Sequence, residues 1–301
     1  MIFYSDTYSA LDLPERHRFP IKKYQQLFNF LHTLPCRDLL ITDNRPIDIE
    51  YLQLAHCPLY VERFLTGTLD AKAIRKIGFP WDEKLCKRTL ASVGNTLRAA
   101  EYALLHGVAA NIGGGYHHAH YDYGAGYCIF NDCVVAAKTL LAREQVTKVL
   151  IFDCDVHQGD GSATMCASDE LIITCSLHCE QNFPTQKACS DYDFALPPNT
   201  TDELYLRTVN EALSLAIRLH QPDIVFYNAG ADIFKHDELG HFALSLAGVK
   251  QRDARVLAYC KQAQIPVVAV LGGGYQRNTQ KVVEVHLQLF YALLENLDLM
   301  V

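Results

Sequence analysis

The amino-acid sequence predicts an α/β fold: a single domain with a central, mainly parallel β-sheet and helices on both faces. In the C-terminal two thirds of the chain, short apolar runs alternate with longer segments of helical periodicity, which is the order of β-α-β units. The runs VLIF, DIVFY and PVVAVL show little polar and apolar alternation, as expected of strands buried on both faces. No linker, repeat or low-complexity stretch divides the chain, so residues 1–301 are predicted to be one domain.

The predicted elements alternate along the chain. Apolar runs predict strands at residues 1–4, 39–42, 109–112, 148–152, 171–176, 224–227 and 265–271. Apolar residues at helical spacing predict helices at residues 22–31, 49–65, 84–106, 129–143, 201–220, 249–260 and 281–294. Thr200 and Glu203 have the spacing of a capping box, which predicts the start of the helix over 201–220.

The composition excludes several classes of protein. Hydrophobic residues make up 50% of the 301 residues, enough for a large core, and the net charge of −7 gives no reason to expect direct nucleic-acid binding. Neither a signal peptide nor an apolar run of roughly 18–20 residues is present, so we expect a cytoplasmic protein without a membrane segment. The 11 cysteines form no CxxC pair, which favours a reducing compartment, and Cys154 and Cys175 are predicted to be buried.

Ionisable residues follow the predicted strands at the edge of the sheet where open α/β folds bind ligands. Asp153, Asp155 and His157 alternate at the end of one strand, so their side chains point to one face. Two carboxylates and an imidazole placed together repel one another or stay unsatisfied unless a cation lies among them. The alternative explanation for this motif is that the side chains cap helices or pair with basic residues.

Asp232 follows the apolar run DIVFY near the end of another strand. With Asp155 and His157 it would complete a mixed oxygen and nitrogen set of three metal ligands, which leaves a position open as catalytic zinc sites do. The same set suits Fe²⁺ or Co²⁺, so the ligand types do not identify the metal. Taken alone, Asp232 would be a turn or cap residue.

Two runs of three glycines bring further polar side chains to this edge. His117 and His118 follow residues 113–115, and Tyr275 follows residues 272–274, where its phenol could donate to a developing oxyanion. Structural roles are the alternative for these three side chains. Phosphate binding by the first glycine run is excluded, since neither G-x-G-x-x-G nor G-x-x-x-x-G-K-[ST] is present.

The motifs become specific when they are taken in order. They are GGGYHHAH at 113–120, GYCIFND at 126–132, DCDVHQGDG at 153–161, SLH at 176–178, NAGAD at 228–232 and LGGGY at 271–275. Together they resemble the histone deacetylase superfamily, the zinc-dependent deacetylases of the arginase/deacetylase fold. HRFP at 17–20, GFPW at 78–81 and Gln158 make the chain most similar to class IV and bacterial histone deacetylase-like members.

The resemblance implies a role for individual residues. It implies a catalytic metal, Zn²⁺ in this family, bound by Asp155, His157 and Asp232. It implies catalytic roles for His117, His118, Asp153, Asp160 and Tyr275. It implies an acyl-lysine channel lined by Gly126, Tyr127 and Phe183, and a structural K⁺ site at Asp153, Asp155, His157, Ser176 and Leu177. We also expect the pairing of His118 with Asp160 to keep the pKa of His118 near neutrality.

The implied activity is hydrolysis of an amide by activated water, removing acetyl or longer acyl groups from lysine side chains. Small acylated amines such as acetylpolyamines are alternative substrates, and the negative net charge suits cationic ones. Asp82 or Glu83 could supply the entrance-loop aspartate that grips a peptide backbone in relatives. A non-catalytic acyl-lysine or metal-binding module and an acetoin-utilisation-type or arginase-like enzyme are the other hypotheses, although arginases use two manganese ions. The sequence predicts no oligomeric state.

Overall fold

One parallel β-sheet of eight strands runs through residues 1–299, the part of the chain that the computed structural model describes. The strands are β1 (Ile2–Tyr4), β2 (Leu40–Thr42), β3 (Val108–Asn111), β4 (Val149–Asp153), β5 (Ile172–Cys179), β6 (Tyr192–Leu196), β7 (Ile224–Asn228) and β8 (Val267–Val270). Their order in the sheet is β2-β1-β3-β8-β7-β4-β5-β6, and every neighbouring pair is parallel. The predicted α/β class is therefore confirmed.

The helices pack mainly in two groups. They are α1 (Lys23–Leu31), α2 (Ile49–Gln53), α3 (Pro58–Leu65), α4 (Ala71–Ile77), α5 (Glu83–His106), α6 (Asp132–Ala142), α7 (Asp160–Cys166), α8 (Asp202–His220), α9 (Leu246–Ala263) and α10 (Thr279–Asn296). In one group, α8 contacts α9, α9 contacts α10, and α10 contacts α1. In the other group, α2, α5 and α7 each contact α6. Every residue of β3, β4, β5, β7 and β8 is buried, so both faces of the sheet are covered. None of the helices within residues 1–299 combines the length and apolar character needed to cross a membrane.

Some local predictions differ from the structure. Residues 49–65 hold two helices, because Pro58 occupies the first position of α3 and favours a helix start there. The predicted capping box is wrong: α8 begins at Asp202, and the Thr200 hydroxyl donates to the carbonyl of Pro197 instead. Helices α4 and α7 and strand β6 were not among the predicted helices and strands. Each has at most seven residues, which is too short for a clear pattern of hydrophobic residues.

The register of the strands brings their carboxyl ends to one level. Asp153 at the end of β4 is paired with Ser176 of β5 and with Asn228 at the end of β7. Asn111 at the end of β3 is paired with Val270 at the end of β8. The loops after these strands therefore leave the sheet at the same edge, which is where the candidate site residues lie.

A buried arginine ties the ends of β4 and β7 to α9. Arg252 is almost fully buried, and its guanidinium donates to the carbonyls of Gly230 at 2.5 Å, Ala229 at 3.2 Å and Cys154 at 3.3 Å. Arg252 Nε also donates to Asp253 Oδ1 at 3.0 Å, which balances the charge. Loss of the guanidinium would leave the carboxylate and the carbonyls without this partner. Arg252 thus supports the backbone from which the site loops leave.

We expect Arg252→Met to lower the free energy of unfolding by roughly 3–5 kcal/mol, because the Asp253 charge would stay buried without its partner. Urea unfolding followed by circular dichroism, with a chelator present to exclude metal binding, measures the change. The matched control is Arg207→Met on the exposed side of α8, which should change stability by less than about 0.5 kcal/mol. Equal stabilities of the two variants would contradict the role given to Arg252.

Candidate active site

The three predicted metal ligands come together after β4 and β7. Asp155, His157 and Asp232 each offer a ligand atom, these atoms lie within 4.8 Å of one another, and all three residues are buried. His157 Nδ1 is 3.0 Å from Asp155 Oδ1 and 3.1 Å from Asp232 Oδ2. The imidazole nitrogen therefore lies between the two carboxylates.

The surroundings of these residues fit a divalent cation. Within residues 1–299, neither carboxylate forms an ion pair with a lysine or an arginine. The Gly273 N–H donates to Asp155 Oδ2 at 2.7 Å, and the Val156 N–H donates to Asp232 Oδ1 at 3.0 Å. A Cβ at position 273 would lie 2.0 Å from Asp232 Oδ2, so glycine keeps this space open. Two carboxylates and an imidazole are the oxygen and nitrogen donors that Zn²⁺, Fe²⁺ and Co²⁺ accept.

The three side chains shift one another's pKa values. Burial disfavours the charged imidazole, but hydrogen bonds with Asp155 and Asp232 outweigh burial and raise the pKa of His157 to about 10. Burial and the Asp155 charge raise the pKa of Asp232 to about 6. A metal ion needs the imidazole in its neutral form, so it would displace a proton of the imidazole on binding.

Two histidines, each held by a carboxylate, stand beside the ligand cluster. His117 Nδ1 is 2.6 Å from Asp153 Oδ2, and His118 Nδ1 is 2.6 Å from Asp160 Oδ1. The ring centroids of His117 and His118 are 4.1 Å apart, and that of His118 is 5.9 Å from His157. Since Nδ1 of each ring faces its carboxylate, Nε2 is the nitrogen that can meet a substrate or water.

The two histidines have opposite pKa shifts. Burial lowers the pKa of His117, but the charges of Asp153 and Asp155 outweigh it and raise the value to about 9. Burial and the charge of His117 lower the pKa of His118 to about 4, although Asp160 opposes this. The expectation of a near-neutral pKa for His118 is therefore not met, because burial and its charged neighbour outweigh the carboxylate. His118 is the neutral member of the pair.

Tyr275 is held by its backbone, and its hydroxyl is free of hydrogen bonds in the part of the chain that the structure describes. Its N–H donates to Asp237 Oδ2 at 2.6 Å, and Asp237 Oδ1 accepts from the N–H groups of Leu239 and Gly240 at 2.8 and 2.9 Å. Within residues 1–299 the Tyr275 hydroxyl makes no hydrogen bond, and its ring centroid is 6.3 Å from that of His157. Asp237 lies in an irregular loop and belongs to none of the motifs, so the sequence offered no signal for it.

The predicted channel residues line a cavity that reaches the candidate ligands. Gly126, Tyr127 and Phe183 border a cavity of about 500 Å³ whose lining also includes His118, His157 and Tyr275. The Phe183 ring stands edge-on to His118, with 4.8 Å between the ring centroids. At position 126 a Cβ would lie 2.8 Å from His118 Cδ2, so glycine lets the wall approach the histidine.

Two further residues hold the carboxylates behind the histidines. Asn228 Nδ2 donates to Asp153 Oδ1 at 2.9 Å, and His120 Nε2 lies 3.2 Å from Asp160 Oδ2. Both belong to motifs that the sequence shows, NAGAD and GGGYHHAH, but neither was predicted to be a site residue. Asn228 reaches Asp153 because β4 and β7 are in register, and His120 reaches Asp160 from the loop after β3. The spacing of residues in the sequence does not reveal either contact.

A buried lysine lies under the second glycine run. Lys23 Nζ is 3.1 Å from His286 Nε2 and 3.5 Å from the carbonyl of Gly272. Burial lowers the pKa of Lys23 to about 8, against the charges of nearby carboxylates that include Asp232 and Asp155. Its position at the start of α1, far from the motifs in sequence, explains why it was not predicted.

The residues expected at a K⁺ site also adjoin one another. Asp153 and Ser176 are register partners on β4 and β5. The expected set is buried throughout and consists of Asp153, Asp155, His157, Ser176 and Leu177. Asp155 and His157 thus belong both to this set and to the candidate ligand cluster.

Comparisons with known proteins point to one family. A family model described as the histone deacetylase domain matches residues 17–290. An uncharacterized protein of Picosynechococcus sp. is 42% identical over 279 residues, covering 91% of this chain and 92% of that protein. Histone deacetylase 2 of Arabidopsis thaliana is 28% identical over 298 residues, covering 94% of this chain and 76% of that protein. The acetoin utilization protein AcuC of Bacillus subtilis is 28% identical over 304 residues, covering 91% of this chain and 77% of that protein.

Solved structures share the fold. An HDAC homolog from Aquifex aeolicus superposes with a TM-score of 0.80 at 22% identity, covering 100% of this chain and 85% of that one. An HDAC homolog complexed with SAHA superposes with a TM-score of 0.78 at 21% identity, covering 96% and 83%. The family match spans every candidate site residue, from His117 to Tyr275. The chain therefore belongs to the histone deacetylase family.

Proposed function

We propose that the chain is a metal-dependent amide hydrolase that removes acetyl or longer acyl groups from lysine side chains. The observation that carries the proposal is the placement of three candidate ligands, a histidine pair and a tyrosine around one cavity. Membership of the histone deacetylase family supports deacetylase activity. The catalytic domain would comprise residues 1–301, and acylated small amines are the alternative substrates.

Asp155, His157 and Asp232 would hold the catalytic cation, Zn²⁺ in our proposal, with Fe²⁺ or Co²⁺ suited to the same ligands. A divalent cation bound there supplies Lewis acidity and a more acidic water. The residues 1–299 contain one such ligand cluster, which favours a single catalytic metal over the two of arginases. By family resemblance, a structural K⁺ would lie at the buried set around Asp153 and Ser176.

His118 would act as the general base. Its ring is neutral near pH 7, its Nδ1 is engaged by Asp160, and its Nε2 is therefore available to take a proton from the attacking water. His117, oriented by Asp153, would hold the adjacent water or the substrate carbonyl. The two carboxylates thus fix which nitrogen of each ring faces the reaction.

Tyr275 would stabilise the oxyanion that forms when water attacks the amide. Its hydroxyl has no partner within residues 1–299, while its backbone is fixed by Asp237. A donor that is already aimed at the developing charge requires no rearrangement during the reaction. The walls at Gly126, Tyr127 and Phe183 would pack along the aliphatic part of the substrate.

The alternative of a non-catalytic acyl-lysine or metal-binding module finds no support in the site. A protein that had lost turnover would be expected to lack a ligand, a histidine or the tyrosine. All six side chains are present, and those of His118, His157 and Tyr275 line the same cavity. The catalytic hypothesis is therefore the better explanation of the site.

Asp155→Ala should abolish stoichiometric zinc binding and amide hydrolysis, because it removes one of three ligands. Its effect on zinc affinity should exceed the roughly 10–100-fold seen when only an outer partner of a ligand is lost. Isothermal titration with Zn²⁺ and hydrolysis of an acetyl-lysine peptide measure the two effects. Asp38→Ala is the control, since Asp38 is an exposed carboxylate outside the cavity. Full activity of Asp155→Ala, or of the metal-free protein, would contradict the proposal.

His118→Ala should lower kcat by roughly 10²–10⁴ while zinc binding and the fold are retained, because it removes the proposed base but no metal ligand. The measurement combines steady-state kinetics, zinc content and circular dichroism. His106→Ala, at an exposed histidine in the last turn of α5, should leave all three unchanged. If His118→Ala hydrolysed the substrate at the parent rate, the base would lie elsewhere.

Tyr275→Phe should lower kcat by roughly 10²–10³, since it removes the proposed oxyanion donor. Tm and zinc content should be nearly unchanged, because the ring is kept and the hydroxyl has no partner within residues 1–299. Tyr121→Phe, at an exposed tyrosine, serves as the control for loss of a hydroxyl. A variant with reduced Tm and unchanged kcat would show that the tyrosine is structural.

A further inference from the structure

The opening of the cavity carries positive charge, although the whole chain has a net charge of −7. Within residues 1–299, the lining of the cavity includes Arg75 and Lys76 and no aspartate or glutamate. Asp82, one candidate for an entrance-loop carboxylate, caps α5 by accepting from the Leu85 N–H at 2.7 Å, and neither Asp82 nor Glu83 lines the cavity. In the described part of the chain, the lining of the cavity therefore offers a substrate cation no carboxylate partner.

Arg75 is held at the opening by the backbone around it. It lies in the last turn of α4, whose final carbonyls are tied to the channel wall. The Gly126 N–H donates to the Lys76 carbonyl at 3.2 Å, and the Tyr127 N–H donates to the Ile77 carbonyl at 2.8 Å. Within residues 1–299, the exposed Arg75 guanidinium forms no ion pair or hydrogen bond, whereas the Lys76 ammonium lies 3.4 Å from the centre of an aromatic ring.

Arg18 is held on the same wall by its two neighbours in sequence. His17 Nε2 lies 2.9 Å from the carbonyl of Gly78, which directly follows α4. The Phe19 ring packs on Tyr127 with 5.2 Å between centroids. Burial raises the pKa of Tyr127, and the positive charge of Arg18 opposes this rise. Arg18 is exposed and has no ion pair within residues 1–299.

A groove of about 640 Å³ continues from the opening and shares Leu239 and Tyr275 with the cavity. Its cationic lining residues are Arg16, Arg18, Lys22 and Arg277, and its acidic ones are Glu15 and Glu238. Glu238 is already engaged, because it accepts from the Arg277 N–H at 2.8 Å and forms an ion pair with its guanidinium at 3.6 Å. The positive charge at the mouth therefore extends beyond Arg75 along one side.

We propose that Arg18 and Arg75, together called the basic rim, bind a carboxylate next to the acylated lysine, so that the enzyme prefers acyl-lysines in acidic peptide segments. The proposal rests on the proposed function and adds its substrate class. Guanidinium groups bind carboxylates through two parallel hydrogen bonds, which suits an unpaired arginine at an opening. A polyamine or a lysine-rich segment would meet like charges there, and like charges suppress binding of the wrong partner.

The test uses zinc-loaded enzyme and three blocked acetyl-lysine peptides that differ only in flanking Asp, Ala or Lys residues. A fourth peptide ends at the acetyl-lysine with a free carboxylate, which distinguishes a terminal carboxylate from a side-chain one. We expect kcat/KM to fall in the order Asp, Ala, Lys. The ratio of the Asp to the Lys peptide should be roughly three- to tenfold at low salt and smaller at high salt.

The double variant Arg18→Gln, Arg75→Gln should bring this ratio close to one. Arg218→Gln is the matched control, since Arg218 is also an exposed arginine in the last turn of a helix but lines neither the cavity nor the groove. This control should keep the ratio of the parent enzyme. A preference for the fourth peptide over the Ala peptide, lost in the double variant, would equally support carboxylate binding by the basic rim.

The basic rim would be overturned if the Lys peptide or N-acetylputrescine were hydrolysed as fast as the Asp peptide, or faster. An Asp-to-Lys ratio of kcat/KM that stays unchanged in the double variant would also overturn it. If none of the acetyl-lysine peptides is hydrolysed, removal of acetyl groups from lysine fails as the activity, and fluorescence anisotropy of labelled peptides still tests the rim. Tighter binding of the Asp peptide than of the Lys peptide, lost in the double variant, would support it. Equal binding would refute it.

Discussion

Two buried carboxylates, Asp155 and Asp232, which within residues 1–299 pair with no lysine or arginine, set the requirement that the surrounding structure meets. A buried charge is strongly destabilising unless hydrogen bonds and an opposite charge offset its loss of hydration. Here the N–H groups of Gly273 and Val156 and the imidazole of His157 provide that offset. These donors reach the carboxylates because β4, β7 and β8 are parallel and end at one edge of the sheet. In our proposal, a divalent cation would complete the charge balance.

The site is organised before any substrate arrives. Each histidine of the pair is held from behind by a carboxylate, as His117 is by Asp153, and the Tyr275 backbone is held by Asp237. Such fixed partners keep donors and acceptors aimed where charge develops. The charges at the opening are different, since Arg18 and Arg75 are exposed and, within residues 1–299, form no hydrogen bond or ion pair with the candidate ligands. In our two proposals, chemistry and substrate selection thus lie in separate parts of the molecule.

The sequence predicted the sheet and the main helices well because each long element has a clear hydrophobic pattern. It also predicted that Cys154 and Cys175 are buried, which the structure confirms. The ligand cluster could be predicted because all three residues closely follow buried strands. Asp237 could not, since it acts through the backbone of a residue 38 positions away in an irregular loop. Helix α4, which carries Arg75, has only seven residues and too little periodicity to be recognised.

The central claim is that Asp155, His157 and Asp232 bind the catalytic metal, and anomalous diffraction at the zinc absorption edge tests it most directly. Crystals of the zinc-loaded protein should show one strong anomalous peak among these side chains. The peak should lie about 2.0–2.2 Å from a carboxylate oxygen of each aspartate and from a nitrogen of His157. Zinc at full occupancy elsewhere in the molecule, with these three side chains hydrogen-bonded only to one another, would contradict the account.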